Sequence, residues 1–167
     1  MLAIREMQQA DIQPIADAFA LLGWDKPASQ YERYLSEQVS GLRTVLVALV
    51  GDMFAGYLTI NWQPQTMPFR ELGIPEIQDF NVLPHDRRQG IGTRLLDEAE
   101  ARAAERSDTV GIGVGLFSDY GAAQRLYIRR GYIPDGRGLY VHDRVVQYGE
   151  SVIVDDDLVL NFTKQLR

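Results

Sequence analysis

The segment EIQDFNVLPHDRRQGIGTRLL, residues 76–96, contains the residue types whose spacing best fits a chemical role. Gly90 and Gly92 stand where a helix is predicted to begin, and Arg87 and Arg88 precede them. Glycines at such a point let a bulky anion approach main-chain N–H groups that have no partner within the helix. The helix dipole and the two arginines add positive potential there. The segment therefore predicts a pyrophosphate-binding turn made mostly of main chain.

An Arg-x-x-Gly-x-Gly spacing is weak evidence when it stands alone, because such glycines can also serve only to relieve crowding between a strand and a helix. Its context in this chain is more informative, since a strand is predicted over residues 76–83 and a strongly periodic helix over residues 90–106. No Gly-Lys-Ser/Thr follows, so the turn is not a Walker loop. It does not lie in the first βα unit, which disfavours a Rossmann dinucleotide site.

Hydrophobic periodicity indicates the elements that position this turn. The helix after it is the most regular of the chain, because Ile91, Leu95, Ala99 and Ala103 recur every four residues. Before the turn we predict a strand at 2–7, a helix after Asp11 ending at Gly23, a helix carrying residues 31–39 and ending near Gly41, and a hairpin of strands 44–50 and 53–61. After it we predict a strand at 109–117, a helix capped by Ser118 or Asp119 and closed by Gly131, a turn at 134–138, and strands at 139–146 and 158–162.

Residues 62–75 contain three prolines and no steady period, so they are predicted as a surface loop. Loops of this length in compact domains are often functional, which makes this loop a candidate for the substrate side. The order of strands and helices predicts an α/β fold with a mixed sheet. With neither an internal repeat nor a linker, residues 1–167 are expected to form a single domain.

The composition disfavours several classes of function. A formal net charge of -6 argues against nucleic acid as the main partner, because phosphate contacts normally require a basic face. The absence of cysteine excludes disulfides, thiolate metal ligands and a cysteinyl intermediate. The first residues do not look like a signal peptide and no apolar segment is long enough to cross a bilayer. We therefore expect a cytoplasmic protein that does not engage a membrane.

Two segments of the sequence resemble the GNAT family of N-acetyltransferases. Val82-Leu83-Pro84 followed by RRQGIGTRLL is similar to the acetyl-CoA motif of that family, with Arg87, Gly90 and Gly92 on its signature positions. The segment from Tyr120 to Tyr132, YGAAQRLYIRRGY, resembles the helix that usually reads Asn-x-x-Ala-x-x-Leu-Tyr-x-x-x-Gly-Phe. Both motifs occur in the family's order and on the expected elements.

This resemblance implies a mixed, splayed central β-sheet flanked by helices, with acetyl-CoA as cosubstrate and no metal. The pantetheine arm would hydrogen-bond to main chain around residues 80–82, like an additional strand. The pyrophosphate would lie on the N–H groups of residues 88–93. The cofactor-binding residues implied by the resemblance are Phe80, Asn81, Val82, Arg87, Arg88, Gln89, Gly90, Ile91, Gly92, Thr93 and Tyr120.

The resemblance also implies direct transfer of the acetyl group to the deprotonated amine of a small molecule or a peptide. An N–H near Val82 would stabilise the oxyanion. Tyr127 would donate a proton to the leaving thiolate, because a phenol with a pKa of about 10 is protonated at neutral pH. Tyr127 could instead be only a core aromatic on an amphipathic helix, but its place in the motif favours the catalytic role.

The general base has three candidates. Regular alternation along the strand puts Glu76, Gln78, Phe80 and Val82 on one face, with Asp79 on the other, unless a bulge intervenes. Glu76 falls where histone-acetylating members of the family carry a catalytic glutamate. Asp79 is its rival, and ordered water is the third possibility. Either carboxylate can also be an ordinary polar residue at an open sheet edge.

The sequence says less about the residues that would bind the acceptor amine. Trp24, Tyr31 and Trp62 are candidates for its walls and Asp79 for a polar contact, although aromatic residues in such places more often form core or lid packing. The acidic composition mildly favours a cationic acceptor. Tyr120 stands where the family usually has an asparagine that touches the pantetheine or the thiol region, so this contact must be replaced or missing.

Other polar residues do not suggest a further site. The three aspartates at 155–157 alternate in direction in extended chain and are better explained as a solvated turn. His85 and His142 lack partners for a metal site or a triad. A non-catalytic acyl-CoA sensor of the same fold remains as an alternative function, and a purely structural domain as a weaker one. The acceptor and the oligomeric state stay open, although homodimers are common in the family.

Overall fold

The computed structural model describes residues 1–167, and its regular elements follow the predicted order. The strands are β1 (Leu2–Glu6), β2 (Arg43–Val50), β3 (Met53–Asn61), β4 (Glu76–Val82), β5 (Thr109–Gly115), β6 (Ile133–Val141), β7 (Arg144–Val145) and β8 (Leu158–Gln165). The helices are α1 (Ile12–Leu21), α2 (Ala28–Val39), α3 (Phe69–Leu72), α4 (Ile91–Ala104) and α5 (Gly121–Arg129).

The eight strands form a mixed sheet in the order β1-β2-β3-β4-β5-β8-β6-β7. Strands β4 and β5 are parallel, with Glu76 opposite Gly111 and Ile77 opposite Ile112. The pairs β1–β2, β2–β3, β5–β8, β6–β8 and β6–β7 are antiparallel. This arrangement confirms the predicted α/β class with a mixed sheet and flanking helices.

The chain divides into two compact units, and β4 contributes to both. The first contains residues 1–62 and 78–102, and the second contains residues 63–77 and 103–167. In the first unit, α1 and α2 cover one face of the hairpin β2–β3, since both helices carry an apolar stripe. Its core is aromatic: Phe19 is fully buried, stacks on Trp24 at 5.5 Å between ring centroids and meets Tyr57 edge-on at 5.8 Å.

Helix α4 buries the residues that the four-residue period singles out, namely Ile91, Leu95, Ala99 and Ala103. On its exposed side Arg102 bridges Glu98, one turn back, at 2.9 Å and Glu6 of β1 at 2.5 Å. The helix begins one residue after the predicted start and ends two residues before the predicted end. Helix termini are the least certain part of such a prediction.

In the second unit, the predicted surface loop at 62–75 is partly wrong. Phe69 starts the short helix α3 and is fully buried. A Cβ added at Gly111 of β5 would lie 2.7 Å from the Phe69 ring, so the glycine leaves the space that this ring fills. The prediction missed this packing because Phe69 and Gly111 are far apart in the sequence.

Three local predictions also differ from the structure. Asp11 precedes α1 but makes no capping bond to it, because its carboxylate accepts bonds from Arg5 and from the N–H of Gln8 instead. Neither Ser118 nor Asp119 caps α5, since both lie within a short 3-10 helix before it. The predicted turn at 134–138 lies within β6, where the pairing with β8 shifts between Pro134 and Leu139.

Candidate active site

The turn before α4 has the geometry of an anion cradle. Arg88 and Gly90 have φ angles of +61° and +83°, and no atom lies within 4 Å of a Cβ placed on Gly90. The N–H of Arg94 donates to the carbonyl of Gly90 at 3.0 Å, which makes Gly90 the first acceptor of the helix. The N–H groups of residues 91–93 therefore have no partner one turn back. The open space above Gly90 leaves these N–H groups accessible to an anion.

The two glycines of this turn have different roles. A Cβ on Gly92 would lie 3.0 Å from the Phe80 ring and 3.7 Å from Val82, so this glycine relieves crowding between α4 and β4. Gly90 meets nothing, and its positive φ is the reason for glycine at that position. The turn is tied to β4 by Arg87, whose Nε donates to the carbonyl of Val82 at 3.0 Å.

Strand β4 is irregular at Asp79, whose φ of +50° is unusual for a residue with a Cβ. Its carboxylate accepts hydrogen bonds from five side chains of the first unit. Oδ1 accepts from Lys26 at 2.6 Å and Asn81 at 2.9 Å, and Oδ2 accepts from Gln30 at 2.8 Å, from Tyr34 at 3.1 Å and from Tyr57. We call these six residues the Asp79 cluster.

The neighbouring residue Gln78 joins the same region of the unit. Its Oε1 accepts from Arg43 at 3.1 Å, and the Arg43 guanidinium lies 4.5 Å from the ring centroid of Tyr34, which bonds Asp79. Arg43 is itself buried and paired with Glu37 at 2.5 Å. Consecutive side chains of β4 thus reach one polar network, because the positive φ of Asp79 interrupts the regular alternation of the strand. We call this irregularity at Asp79 the bulge of β4.

The tyrosines of the cluster act as donors at neutral pH. Burial, followed by the charge of Asp79, raises the pKa of Tyr34 to about 12. Burial and Asp79 also raise the pKa of Tyr57 well above its usual range. Burial likewise raises the pKa of Tyr31, which lies outside the cluster and whose hydroxyl contacts that of Tyr57. Sequence analysis did not single out Lys26, Gln30, Arg43 or Tyr57. A useful signal was available, because a carboxylate within a strand of the central sheet requires hydrogen-bond donors from other elements.

The three aromatic residues predicted to line the acceptor site differ in burial and in their contacts. Trp24 is half-buried against Phe19. Tyr31 is fully buried, and its hydroxyl reaches that of Tyr57 at 3.4 Å, so it presents no surface to a ligand in this conformation. Trp62 is half-buried and its Nε1 donates to Thr44 at 3.1 Å.

Tyr127 lies in α5 of the second unit and is 5% exposed. Its ring centroid is 5.8 Å from that of Tyr132. Burial raises the pKa of Tyr127 above its usual range, and the electrostatic effect of Tyr120 adds to it by a smaller amount. The phenol is therefore protonated at neutral pH, which is the state that a proton donor requires.

Tyr120, in the place of the family's asparagine, packs against the end of β5. A Cβ on Gly115 would lie 2.4 Å from its ring, and its hydroxyl donates to Asp156 at 2.8 Å. Its ring also meets Phe117 edge-on at 5.1 Å. Glu76, at the start of β4, is buried at 6% exposure opposite Gly111.

The remaining acidic residues and histidines do not form a metal site. No group of three or more His, Cys, Asp or Glu residues is placed to hold a metal ion. The aspartates at 155–157 are exposed, and Asp157 faces His142 at 3.8 Å. None of the helices has the length and apolar character that crossing a membrane requires.

Comparison with known proteins identifies the family. A family model described as the acetyltransferase (GNAT) family matches residues 10–132, well over half of the chain. The chain belongs to the GNAT acetyltransferase family. The resemblance seen in the sequence is thereby confirmed, and with it the general activity of acetyl transfer. No curated protein matches the chain.

Solved structures of GNAT proteins share this fold along their whole length. An N-acetyltransferase from Staphylococcus aureus has a TM-score of 0.73 at 16% identity, with 100% of this chain and 99% of that chain covered. Ribosomal-protein-alanine N-acetyltransferase from Brucella melitensis has a TM-score of 0.71 at 20% identity, with 98% and 99% covered. The protein yncA from Salmonella typhimurium, solved with its cofactor acetyl-CoA, has a TM-score of 0.69 at 20% identity, with 99% and 94% covered. At these identities the likeness establishes the fold of this GNAT chain.

Proposed function

We propose that this protein transfers the acetyl group of acetyl-CoA directly to a primary amine of a small molecule or a peptide. The observation that carries the proposal is the turn before α4, where Arg88 and Gly90 adopt positive φ, the space above Gly90 is open and the first N–H groups of the helix have no partner one turn back. Such a turn binds a pyrophosphate through main chain and helix dipole. The acetyl-CoA in the yncA structure supports the same ligand for this fold.

The binding residues proposed for acetyl-CoA belong to β4 and to this turn. The N–H groups of residues 88–93 would hold the pyrophosphate, and the exposed Arg87, Arg88 and Thr93 are available beside it. Gln89 closes the preceding turn through a bond from its Nε2 to the carbonyl of His85 at 3.3 Å. The main chain of Phe80, Asn81 and Val82 would hold the pantetheine arm and the acetyl carbonyl. When bound, acetyl-CoA supplies the thioester that the amine attacks.

We propose Tyr127 as the general acid. Its buried phenol remains protonated far into alkaline solution, because burial raises its pKa. It would give this proton to the departing sulfur, so that the thiol rather than the thiolate is released. Tyr120 would lie beside this step as part of the cofactor site, its ring held against Gly115.

For the base we favour Glu76, or water, over Asp79. The carboxylate of Asp79 already accepts five hydrogen bonds, including one from the ammonium of Lys26. A carboxylate in that state is poorly placed to take a proton from an amine. Glu76 is buried, and Glu76→Gln should lower kcat at neutral pH if it is the base. Unchanged turnover in that variant would favour water.

The acceptor is proposed only by class. The net charge of -6 attracts cationic amines weakly. One structure of similar fold is named a ribosomal-protein-alanine N-acetyltransferase, so peptide N-termini belong among the amines to be tested. We expect a freely diffusing protein that acts without nucleic acid or a metal, and a homodimer is compatible with this function.

Release of coenzyme A thiol tests the proposal. Wild type and Tyr127→Phe would be assayed with acetyl-CoA against polyamines, amino acids, aminoglycosides and short peptides. Turnover with one class of amine, depressed about a hundredfold in the variant, would support both the activity and the acid. Saturable binding of acetyl-CoA without turnover would favour the sensor function instead. Absence of binding would refute both.

A further inference from the structure

We propose that Asp79 is a positioning residue, whose clamped carboxylate holds the bulge that aims the main chain of residues 80–82 at the acetyl group. This role differs from those of a base or an acceptor ligand, for which Asp79 was a candidate. The inference rests on the proposed function, because it assumes that this stretch of β4 binds the acetyl-pantetheine arm. All residues of the Asp79 cluster belong to the first unit of the fold.

The carboxylate has no capacity left for a substrate. Two carboxylate oxygens offer about four lone-pair sites, and those of Asp79 accept five bonds. The charged donor is Lys26, whose Nζ lies 2.6 Å from Oδ1 while both side chains are only 18% exposed. An acceptor ammonium would have to displace this ion pair, and no open lone pair faces an incoming proton.

The donors converge from four parts of the chain. Lys26 lies in the connection between α1 and α2, Gln30 and Tyr34 lie on α2, Tyr57 on β3, and Asn81 on β4 itself. Lys26 is held over the rings of Phe19 and Tyr57, at 5.6 and 5.7 Å from their centroids, and also donates to the Tyr57 hydroxyl at 3.2 Å. The position of the carboxylate is therefore set from several directions at once.

The hydrogen bonds that hold the Asp79 carboxylate and the irregular backbone at Asp79 depend on each other. At a φ of +50° a residue with a Cβ is sparsely populated, so this conformation persists only where the surroundings hold it. In a regular strand the side chains of Gln78 and Asp79 would point to opposite faces. Here both reach the network of Arg43 and Tyr34, because the bulge turns Asp79 to the side of its donors.

The bulge sets the course of the next three residues. Immediately after it the Phe80 ring lies against Gly92 at the start of α4, and the Asn81 carbonyl lies 2.6 Å from where Gly56 would carry a Cβ. Leu83 then donates to Ala55 at 2.9 Å. Loss of the Asp79 charge would release the donors and let β4 relax towards regular alternation. The main chain of residues 80–82 would then turn away from its present direction. Gly90 and the first N–H groups of α4 would move less, because they belong to the helix and are linked to β4 through the Arg87 bond to Val82 and the contact of Phe80 with Gly92.

Two ligands separate these regions of the cofactor site. Acetyl-CoA requires both β4 and the turn, and 3′-phosphoadenosine 5′-diphosphate, which lacks the pantetheine arm, requires only the turn. Dissociation constants would be measured by calorimetry for wild type, Asp79→Asn and Asp11→Asn. Asp11 is the matched control, since it is a buried carboxylate of the same unit, paired with Arg5 at 2.7 Å and outside the Asp79 cluster.

We expect Asp79→Asn to weaken acetyl-CoA binding about tenfold or more and to change nucleotide binding less than about twofold. Asp11→Asn should change neither constant. Equal losses for both ligands, or an unchanged constant for acetyl-CoA, would overturn the positioning role. If Asp79→Asn does not fold, Tyr34→Phe and Lys26→Met serve instead, because each removes one donor. Each should weaken the binding of acetyl-CoA and leave the binding of the nucleotide unchanged. Any other result would overturn the positioning role. Failure of wild type to bind either ligand would refute the proposed function itself.

Discussion

Tyr120 occupies the space that Gly115 leaves open at the end of β5: a Cβ at position 115 would lie 2.4 Å from the Tyr120 ring. The family commonly has asparagine where Tyr120 stands, and an asparagine side chain is much smaller than a phenol ring. The glycine and the tyrosine are therefore a matched pair in this chain. Their dependence on each other can be measured.

Gly115→Ala should destabilise the protein by about 1–3 kcal/mol, because the new methyl group forces the Tyr120 ring away from β5. The matched control is Gly121→Ala at the start of α5, where nothing lies within 4 Å of the added Cβ. Because alanine favours the helix, that control should be neutral or stabilising by up to about 1 kcal/mol. Urea unfolding of both variants measures the difference. Equal stability of the two variants would contradict the paired packing.

Gly90→Ala should weaken acetyl-CoA binding more than it lowers stability. Gly90 has φ +83°, so alanine costs about 1–2 kcal/mol of backbone strain, and its Cβ enters the open space above the turn. Gly23→Ala carries similar strain at φ +71° after α1, with open space around it. Calorimetric titration should show lost affinity only for Gly90→Ala. Similar affinities in the two variants would argue against the turn as the phosphate site.

Catalytic turnover should not decline on the alkaline side until above about pH 10, the usual pKa of a phenol. Burial raises the pKa of Tyr127, so its proton is retained at higher pH than in an exposed tyrosine. The rate of thiol release from pH 6 to 10.5 checks this, with Tyr127→Phe as the comparison at each pH. A decline of the wild-type rate that begins near pH 8 and is absent from the variant would show that Tyr127 ionises there, which would contradict its raised pKa. Equal rates of the two proteins at every pH would exclude Tyr127 as the acid.

Asp11 should make the stability of the first unit sensitive to acid. Burial alone would raise its pKa, but hydrogen bonds from Arg5 and from the Gln8 N–H, with the Arg5 charge, lower the pKa overall. A depressed carboxyl pKa contributes stability above about pH 4, and this contribution is lost as the pH falls through the folded-state value. Asp11→Asn should cost about 1–2 kcal/mol at pH 7 and much less at pH 3.

Urea unfolding at the two pH values measures this difference. Asp17→Asn serves as the control, because Asp17 is exposed on α1 and bonds only Gln13 nearby, at 2.7 Å. A loss for Asp11→Asn that is the same at pH 3 and pH 7 would show that its charge is not the source of the stability.

The sequence was sufficient for features that depend on local pattern. The four-residue period from Ile91 to Ala103 predicted α4 to within two residues, and the β-branched run around Gly51 predicted the hairpin β2–β3. The turn at Gly90 was recognised because its glycines precede a strong helix. These features are encoded by residues that lie close together along the chain.

Features that depend on distant residues were missed. The prediction of a surface loop misses the burial of Phe69, because that burial depends on the space left by Gly111, a residue far away in the sequence. Regular alternation predicts that Asp79 points away from Gln78. It does not, because donors on α2 and β3, distant in the sequence, bind the Asp79 carboxylate. Asp11 was expected to cap α1, but Arg5 of β1 provides a stronger partner. In each case a tertiary contact outweighed the local preference.

The origin of the Asp79 donors has a consequence for the order of folding. Four of the five lie between 22 and 53 positions away in the sequence, the nearest being Tyr57 and the farthest Lys26. Contacts of such separation form late, because the chain between them must first be closed. We therefore expect the bulge in β4 to form no earlier than the docking of α2 on the hairpin. An isolated β4–α4 fragment, without the donors from α2 and β3, is expected to lack the conformation that receives the acetyl group even where the phosphate turn forms.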